Sequence, residues 1–278
     1  MDVATVMGIV AFAGMLFGAI YMAEGLHGFK PFLNLEALLV VMGGTFSALL
    51  VNYPLRQVIG VGRVLKKVLM GKDEETSGIV TTFVSLSQKA KKEGFLALEK
   101  DVKGVKDDFL KRGVQLVIDG VDKDFIQNML ETEIMFIRER HKVGREIFNA
   151  LGTYAPAFGI IGTVLGMILM LSDISDVEEV PRRMALALAA AFIGLGAGYL
   201  IFLPMAGKLH RRSQEELLVK EIIIRGVLLL QTGAAPSVVE ANLQAYLEPA
   251  QRGMLKVSPA KPAAAGAAPA EAGTPPPA

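Results

Sequence analysis

No cysteine and no tryptophan occur in the chain, and only three histidines do. Without cysteine, disulfides and thiolate chemistry are excluded. His27, His141 and His210 stand far apart, with no metal-ligand spacing. Charge of one sign is also missing: 29 Lys and Arg face 28 Asp and Glu, a net charge of +1. That balance argues against nucleic acid as a partner. Neither a P-loop pattern nor a GxSxG nucleophile turn is present. The succession Gly194-Leu195-Gly196-Ala197-Gly198 lacks the preceding strand of a dinucleotide-binding turn and lies inside an apolar run. Nothing marks an enzyme.

What the chain has is apolar residue, and it is collected rather than spread. Hydrophobic residues make up 52% of the 278, with a mean hydropathy of +0.43. Four runs stand out, Val3 to Met22, Phe32 to Val51, Leu151 to Leu171 and Met184 to Met205. Each is about 20 residues, enough at about 1.5 Å per residue to cross a hydrocarbon core of about 30 Å. Glu36, at one edge of the second run, is their only ionisable side chain apart from tyrosine. A signal peptide wants a basic leader and small residues at its cleavage site. Here Asp2 is the only charge before the first run, and Tyr21, Met22 and Glu24 follow it. The run reads as a retained span.

Orientation follows from lysine and arginine, which stay on the cytoplasmic side. The stretches 52–150 and 206–278 hold 26 of the 29 basic residues, against Lys30, Arg182 and Arg183 in the short connections. Asp173, Asp176, Glu178 and Glu179 stand beside those two arginines and offset them. Both termini and the middle segment are therefore expected inside. The expected fold class is an all-α integral membrane protein, with four transmembrane helices in two hairpins and a helical cytoplasmic domain between spans two and three. By residues the organisation is hairpin 1 over 1–53, the cytoplasmic domain over 54–150, hairpin 2 over 151–206, a cytoplasmic C-terminal helical segment over 207–256, and an Ala/Pro-rich disordered tail over 257–278.

Several features inside the spans carry physical meaning. Glycines repeat at four-residue spacing in Gly14/Gly18, Gly162/Gly166 and Gly194/Gly198, which lets helix backbones approach in lipid. Packing within the chain and packing around a central object in an oligomer both fit that pattern. Pro156 and Pro204 sit toward the cytoplasmic ends of antiparallel spans, each deleting a backbone donor. They read either as terminal kinks or as a paired hinge. Ion pathways across bilayers carry an ionisable group at depth, yet these span centres offer only hydroxyls, those of Thr45, Ser47, Tyr154, Thr163 and Tyr199. If the protein conducts ions, the carrier must come from another chain. Lys89, Lys91, Lys92, Glu93, Glu99, Lys100 and Asp101 gather around Gly94 in the middle segment. Such a cluster is a solvated helix face or a charged docking patch.

Taken together, several stretches resemble the MotA/PomA family of flagellar motor stator subunits, part of the MotA/TolQ/ExbB proton channel superfamily. They are Gly43-Gly44-Thr45, Asn52-Tyr53-Pro54, the segment from Ala155 to Gly166, Phe202-Leu203-Pro204-Met205-Ala206-Gly207-Lys208-Leu209, and Gly226-Val227-Leu228-Leu229-Leu230-Gln231, and the likeness covers roughly residues 1–255. The resemblance implies a homopentamer in the inner membrane around a dimer of a MotB-like, peptidoglycan-binding subunit whose single span bears the ion-carrying Asp. Ion flow would then turn the ring against the rotor switch protein FliG. It assigns hinge or coupling roles to Pro156 and Pro204, the rotor contact to Lys91 (where an arginine is more usual) and Glu99, and the ion-pathway lining to Thr163, Ala190 and Ala191. Sodium-type relatives carry a threonine in the region of Ala190 and Ala191. The missing hydroxyl removes an oxygen ligand for a desolvated cation, which favours protons. Arg225 stands where relatives commonly have an acidic residue. No cofactor or metal is implied. The nearest rival is a three-span ExbB/TolQ-type energiser, which the two short hairpins disfavour. A passive scaffold and a solute transporter are the rivals from other classes, and no mid-membrane polar site supports the second.

Overall fold

The computed structural model describes residues 3–70, 76–105, 107–172 and 174–247. The tail over 257–278 lies outside the described residues. Every regular element among them is helical. Helix α1 spans Val3–Glu24 and continues, after Gly25 at φ 65°, as a tight three-residue-per-turn stretch over Gly25–Phe32. Phe17 and Phe29 stack at 5.1 Å between ring centres and fasten that stretch back onto α1. Helix α2, Leu35–Asn52, begins where the Asn34 side chain accepts from the Ala37 amide. The extended Tyr53 precedes Pro54 and ends it. Helix α3 covers Leu55–Met70, α4 Thr76–Glu93, α5 Glu99–Lys103 and α6 Asp108–Ile118. Two long helices complete the set: α7, Lys123–Ser172, of 50 residues, and α8, Glu179–Gln231, of 53. The short α9 is Pro236–Gln244.

Among the described residues, four helices are long and apolar enough to cross a membrane. The long pair runs through the composition boundaries without a break. Each membrane run and the charged segment flanking it form a single continuous helix. Hydropathy changes sign near Leu151 and Met205, but helix propensity does not, so the composition boundary is not a structural one.

Two compact units emerge. The first comprises 1–75 and 121–224, and the second comprises 76–120 and 225–278. The middle segment 54–150 is thus shared between them. In the first unit, one core joins Leu49 and Val61 to Ile147, Phe148, Leu151, Ala206 and Leu209. Another joins Ala37 and Val41 to Leu186, Ala189 and Ala190. Large exposed side chains such as Ile160, Ile161, Ile168, Leu188 and Ile201 complete its apolar surface. In the second unit Phe83 is fully buried, and its ring lies where a Cβ on Gly226 would fall, 2.6 Å away. Ser87 Oγ donates to the Ala234 carbonyl at 3.0 Å. Asp107 caps α6 by accepting from the Leu110 amide at 2.8 Å.

Candidate functional site

The pairing of α7 with α8 rests on the absence of side chains. A Cβ on Gly194 would stand 2.6 Å from the Ala155 carbonyl and 2.7 Å from Gly159 Cα. One on Gly162 would stand 2.5 Å from Ala190 Cβ, and one on Gly166 2.7 Å from Ala187 Cβ. Backbones brought this close gain dispersion in lipid, where hydrophobic drive between helices is lost. Packing within the chain therefore accounts for these glycines. A Cβ on Gly14 or Gly18 would meet open space. Ala190 is 0% exposed in the chain, its methyl filling the space that Gly162 vacates. Ala191 and Thr163 are half-buried.

Thr163 ties the pair together. Its hydroxyl lies 3.0 Å from the Gly159 carbonyl on its own helix and 3.2 Å from the Ala187 carbonyl on α8. With one proton to give, it serves these two acceptors by sharing or alternation. Thr45, fully buried, spends its hydroxyl on the Val41 carbonyl at 2.6 Å. Residue type gave these hydroxyls away in the sequence, whereas their acceptors depend on which carbonyl the neighbouring helix presents.

The two prolines meet one element. Pro156 leaves the Gly152 carbonyl without its helical donor. A Cβ on Gly198 would fall 2.6 Å from Pro156 Cγ and 2.9 Å from the Gly152 oxygen, so only glycine fits there. Gly198 belongs to a widened turn of α8, Ala197–Phe202, with hydrogen bonds five residues apart. That turn leads straight to Pro204, whose ring would otherwise strike the Leu200 carbonyl. A second widened turn, Leu39–Gly43, lies in α2. Nothing in the sequence announces either turn. Two residues before Pro156, Tyr154 accepts from Asn52 Nδ2 at 3.0 Å, joining α7 to the end of α2.

At the opposite ends of the spans the connection charges pair in a way the sequence did not reveal. Arg182 lies 3.7 Å from Glu36 and 3.3 Å from Glu179, and Arg183 lies 3.5 Å from Glu179. Arg183 also donates to the Leu169 carbonyl at 2.9 Å. These groups border a cleft of about 510 Å³. Asp176, expected to offset the arginines, instead accepts from the Glu178 amide at 3.1 Å.

In the second unit the charged cluster is ordered by two contacts. Lys89 on α4 reaches Asp101 on α5 at 2.9 Å, and Lys103 reaches Glu99 at 3.0 Å. The hydrogen bond to Asp101, opposed in part by desolvation and helped by the Asp101 and Glu93 charges, holds the Lys89 ammonium above the usual lysine value. Its contribution is present at neutral pH and is lost only as pH rises past that value. Gly94, at φ 82°, turns the chain between the two helices. Lys91 is exposed without an ion pair among the described residues, and Leu96 beside it is 78% exposed. Arg225 donates to Asn242 Oδ1 at 3.2 Å, which gives that departure a local partner.

Two tightly packed helices with uncharged apolar runs, joined by two further helices long and apolar enough to cross a membrane, define a polytopic membrane protein. Residues 101–222 match the model of the MotA/TolQ/ExbB proton channel family. Motility protein A of Bacillus subtilis is 34% identical over 250 residues, covering 89% of this chain and 91% of the relative. Chemotaxis protein PomA of Vibrio alginolyticus is 33% identical over 254 residues, covering 91% and 98%. The flagellar MotAB stator complex of Bacillus subtilis matches in structure with a TM-score of 0.81 at 32% identity, over 91% of this chain and 98% of that one. The chain belongs to the MotA/TolQ/ExbB proton channel family, in its MotA/PomA branch.

Proposed function

We propose that this chain is the ring-forming stator subunit of a bacterial flagellar motor, converting ion flow into rotation. The observation that carries the reading is the close pairing of the uncharged apolar runs of α7 and α8 in a chain that follows the stator-complex fold over nine-tenths of its length. A conducting path needs a titratable carrier at depth, and this chain holds none at its span centres. A MotB-like partner helix supplies it, bearing an aspartate and anchored to peptidoglycan. Five copies of this chain surround two copies of that partner in the inner membrane, with both termini in the cytoplasm and residues 54–150 and 207–256 on that side.

Within this reading the half-buried Thr163 and Ala191 face the partner helix, and the ion is a proton, because Ala191 brings no oxygen ligand. Pro156 and Pro204 couple the membrane part to the segments below it. Lys91 and Glu99 meet FliG. The chain acts as a transducer rather than an enzyme. The four-span arrangement and the motility-protein relatives set it apart from the ExbB/TolQ energisers.

Reconstitution tests this. Liposomes holding the chain with its partner should dissipate an imposed pH gradient in sodium-free buffer, and liposomes holding the chain alone should not. Specific proton flux through the chain alone would remove the division of labour, and a strict sodium requirement would overturn the choice of ion.

A further inference from the structure

Beyond the apolar run of each long helix, a cleft of about 190 Å³ opens between α7 and α8, bordered by Arg138, His141, Lys142, Arg145, His210 and Ser213. Among the described residues no carboxylate is part of the lining itself, although Glu216 stands 3.8 Å from His141 Nε2 behind it. Arg145 Nη1 stands 2.7 Å from His210 Nδ1. A guanidinium only donates, so this ring nitrogen is the acceptor. The other donors of Arg145 have no partner among the described residues. Arg138 is held by Glu221 only at 3.7 Å, and Lys142 by Glu139 at 3.6 Å, both exposed pairs. Contacts of that kind contribute about 0–1 kcal/mol and yield readily to a better anion. Ser213 Oγ, 3.0 Å from His141 Nδ1, adds a hydroxyl.

The height of the cleft along the helices narrows what it takes. Arg145 lies six residues before Leu151, and His210 five after Met205. At 1.5 Å per residue these are about 9 Å and 8 Å beyond the apolar runs, and Lys142, nine residues before Leu151, and Ser213, eight after Met205, stand about 14 Å and 12 Å beyond them. The headgroup layer occupies roughly 5–8 Å beyond the hydrocarbon on each side, within reach of a side chain that snorkels toward it. The volume is below the about 300–1,000 Å³ of sites that enclose a whole drug-sized ligand, and suits a headgroup rather than a nucleotide. Guanidinium groups bind phosphate through paired hydrogen bonds. Basic pockets between transmembrane helices are known sites for anionic headgroups.

We propose that this cleft is a phosphate-binding site, taking the phosphodiester of an anionic phospholipid headgroup or a free phosphate compound of similar size. Bound phosphate bridges Arg145 and Lys142 on α7 to His210 and Ser213 on α8, fastening the two helices a few turns from Pro156 and Pro204. The proposal rests on the cleft and the span boundaries, not on ion conduction.

The test uses the full chain purified in detergent with its partner. Thermal unfolding is followed against dioctanoyl phosphatidylglycerol, dioctanoyl phosphatidylcholine and inorganic phosphate at matched ionic strength. Phosphatidylglycerol should raise Tm saturably, phosphatidylcholine should not, and the midpoint should move at least tenfold higher in Arg145→Gln/Lys142→Gln. Arg211→Gln, outside the cleft, should leave it unchanged. An Arg145-dependent rise with inorganic phosphate at a comparable midpoint supports the site and assigns the free source; a rise with phosphatidylglycerol alone assigns the lipid. If the double variant does not yield the complex, Arg145→Lys, which keeps the charge and loses the fork, carries the test with a several-fold weakening. The proposal is overturned if neither anionic probe raises Tm, if phosphatidylcholine acts equally, or if the variants titrate like the parent.

Discussion

A single methyl group decides whether α7 and α8 can lie side by side. At Gly194 it would meet backbone, the Ala155 carbonyl and Gly159 Cα, which cannot swing aside as a side chain can. Overpacking of this kind costs about 1–3 kcal/mol, and lipid returns nothing for the separation. Gly194→Ala is therefore expected to lower the yield of assembled complex on size exclusion and to shrink swarm diameter. Gly207→Ala serves as its control, since open space surrounds that position and alanine adds up to about 1 kcal/mol of helix propensity. Equal yields from the two variants would remove the close-packing account. The residue scale also shows where the sequence stopped. Small residues at four-residue spacing were legible, but they do not say which face meets which helix. The spacing does not show, for instance, that the Ala190 methyl fills the space beside Gly162.

At the scale of elements, the two prolines share one neighbour, the widened turn of α8. Pro156 lies against Gly198, the widened turn of α8 surrounds Gly198, and Pro204 follows the same turn. Proline within a helix costs about 3 kcal/mol. Pro156→Ala should give a straighter, more stable α7, present in the membrane at normal levels, in cells that no longer swim. Swimming at normal speed by that variant would defeat the coupling role. Both prolines were visible in the sequence, and so was their similar depth. The widened turns were not, because no residue pattern marks a hydrogen-bond shift from four residues to five. Hydropathy reports the solvent, while the helical hydrogen-bond ladder of α7 and α8 runs on through a change of solvent.

For the molecule as a whole, the proposed function makes the charged corner of the second unit and the orientation of the spans testable. Lys91→Glu and Glu99→Lys should each reduce rotation speed in tethered cells, with partial recovery when opposite charge is placed on the rotor. The internal cost is small: Glu99→Lys sets a lysine one turn from Lys103, about 0.2–0.5 kcal/mol. Motility unchanged by both reversals would reduce the cluster to a solvated face. The chain's lack of cysteine makes orientation directly readable. Asp176→Cys should react with a membrane-impermeant maleimide in intact cells, and Lys92→Cys only after permeabilisation. The reverse pattern would invert the topology.

Sequence alone determined the span count, the uncharged span centres and the family likeness, because hydropathy and motif identity are local properties that survive without coordinates. Only the tertiary structure decided that Thr163 ties α7 to the Ala187 carbonyl, that Arg182 reaches Glu36, and that 76–120 packs with 225–247 rather than with its chain neighbours. Each of these joins residues far apart in the chain, and such distances are set by how helices cross and which faces they bury, information that no single stretch of sequence contains.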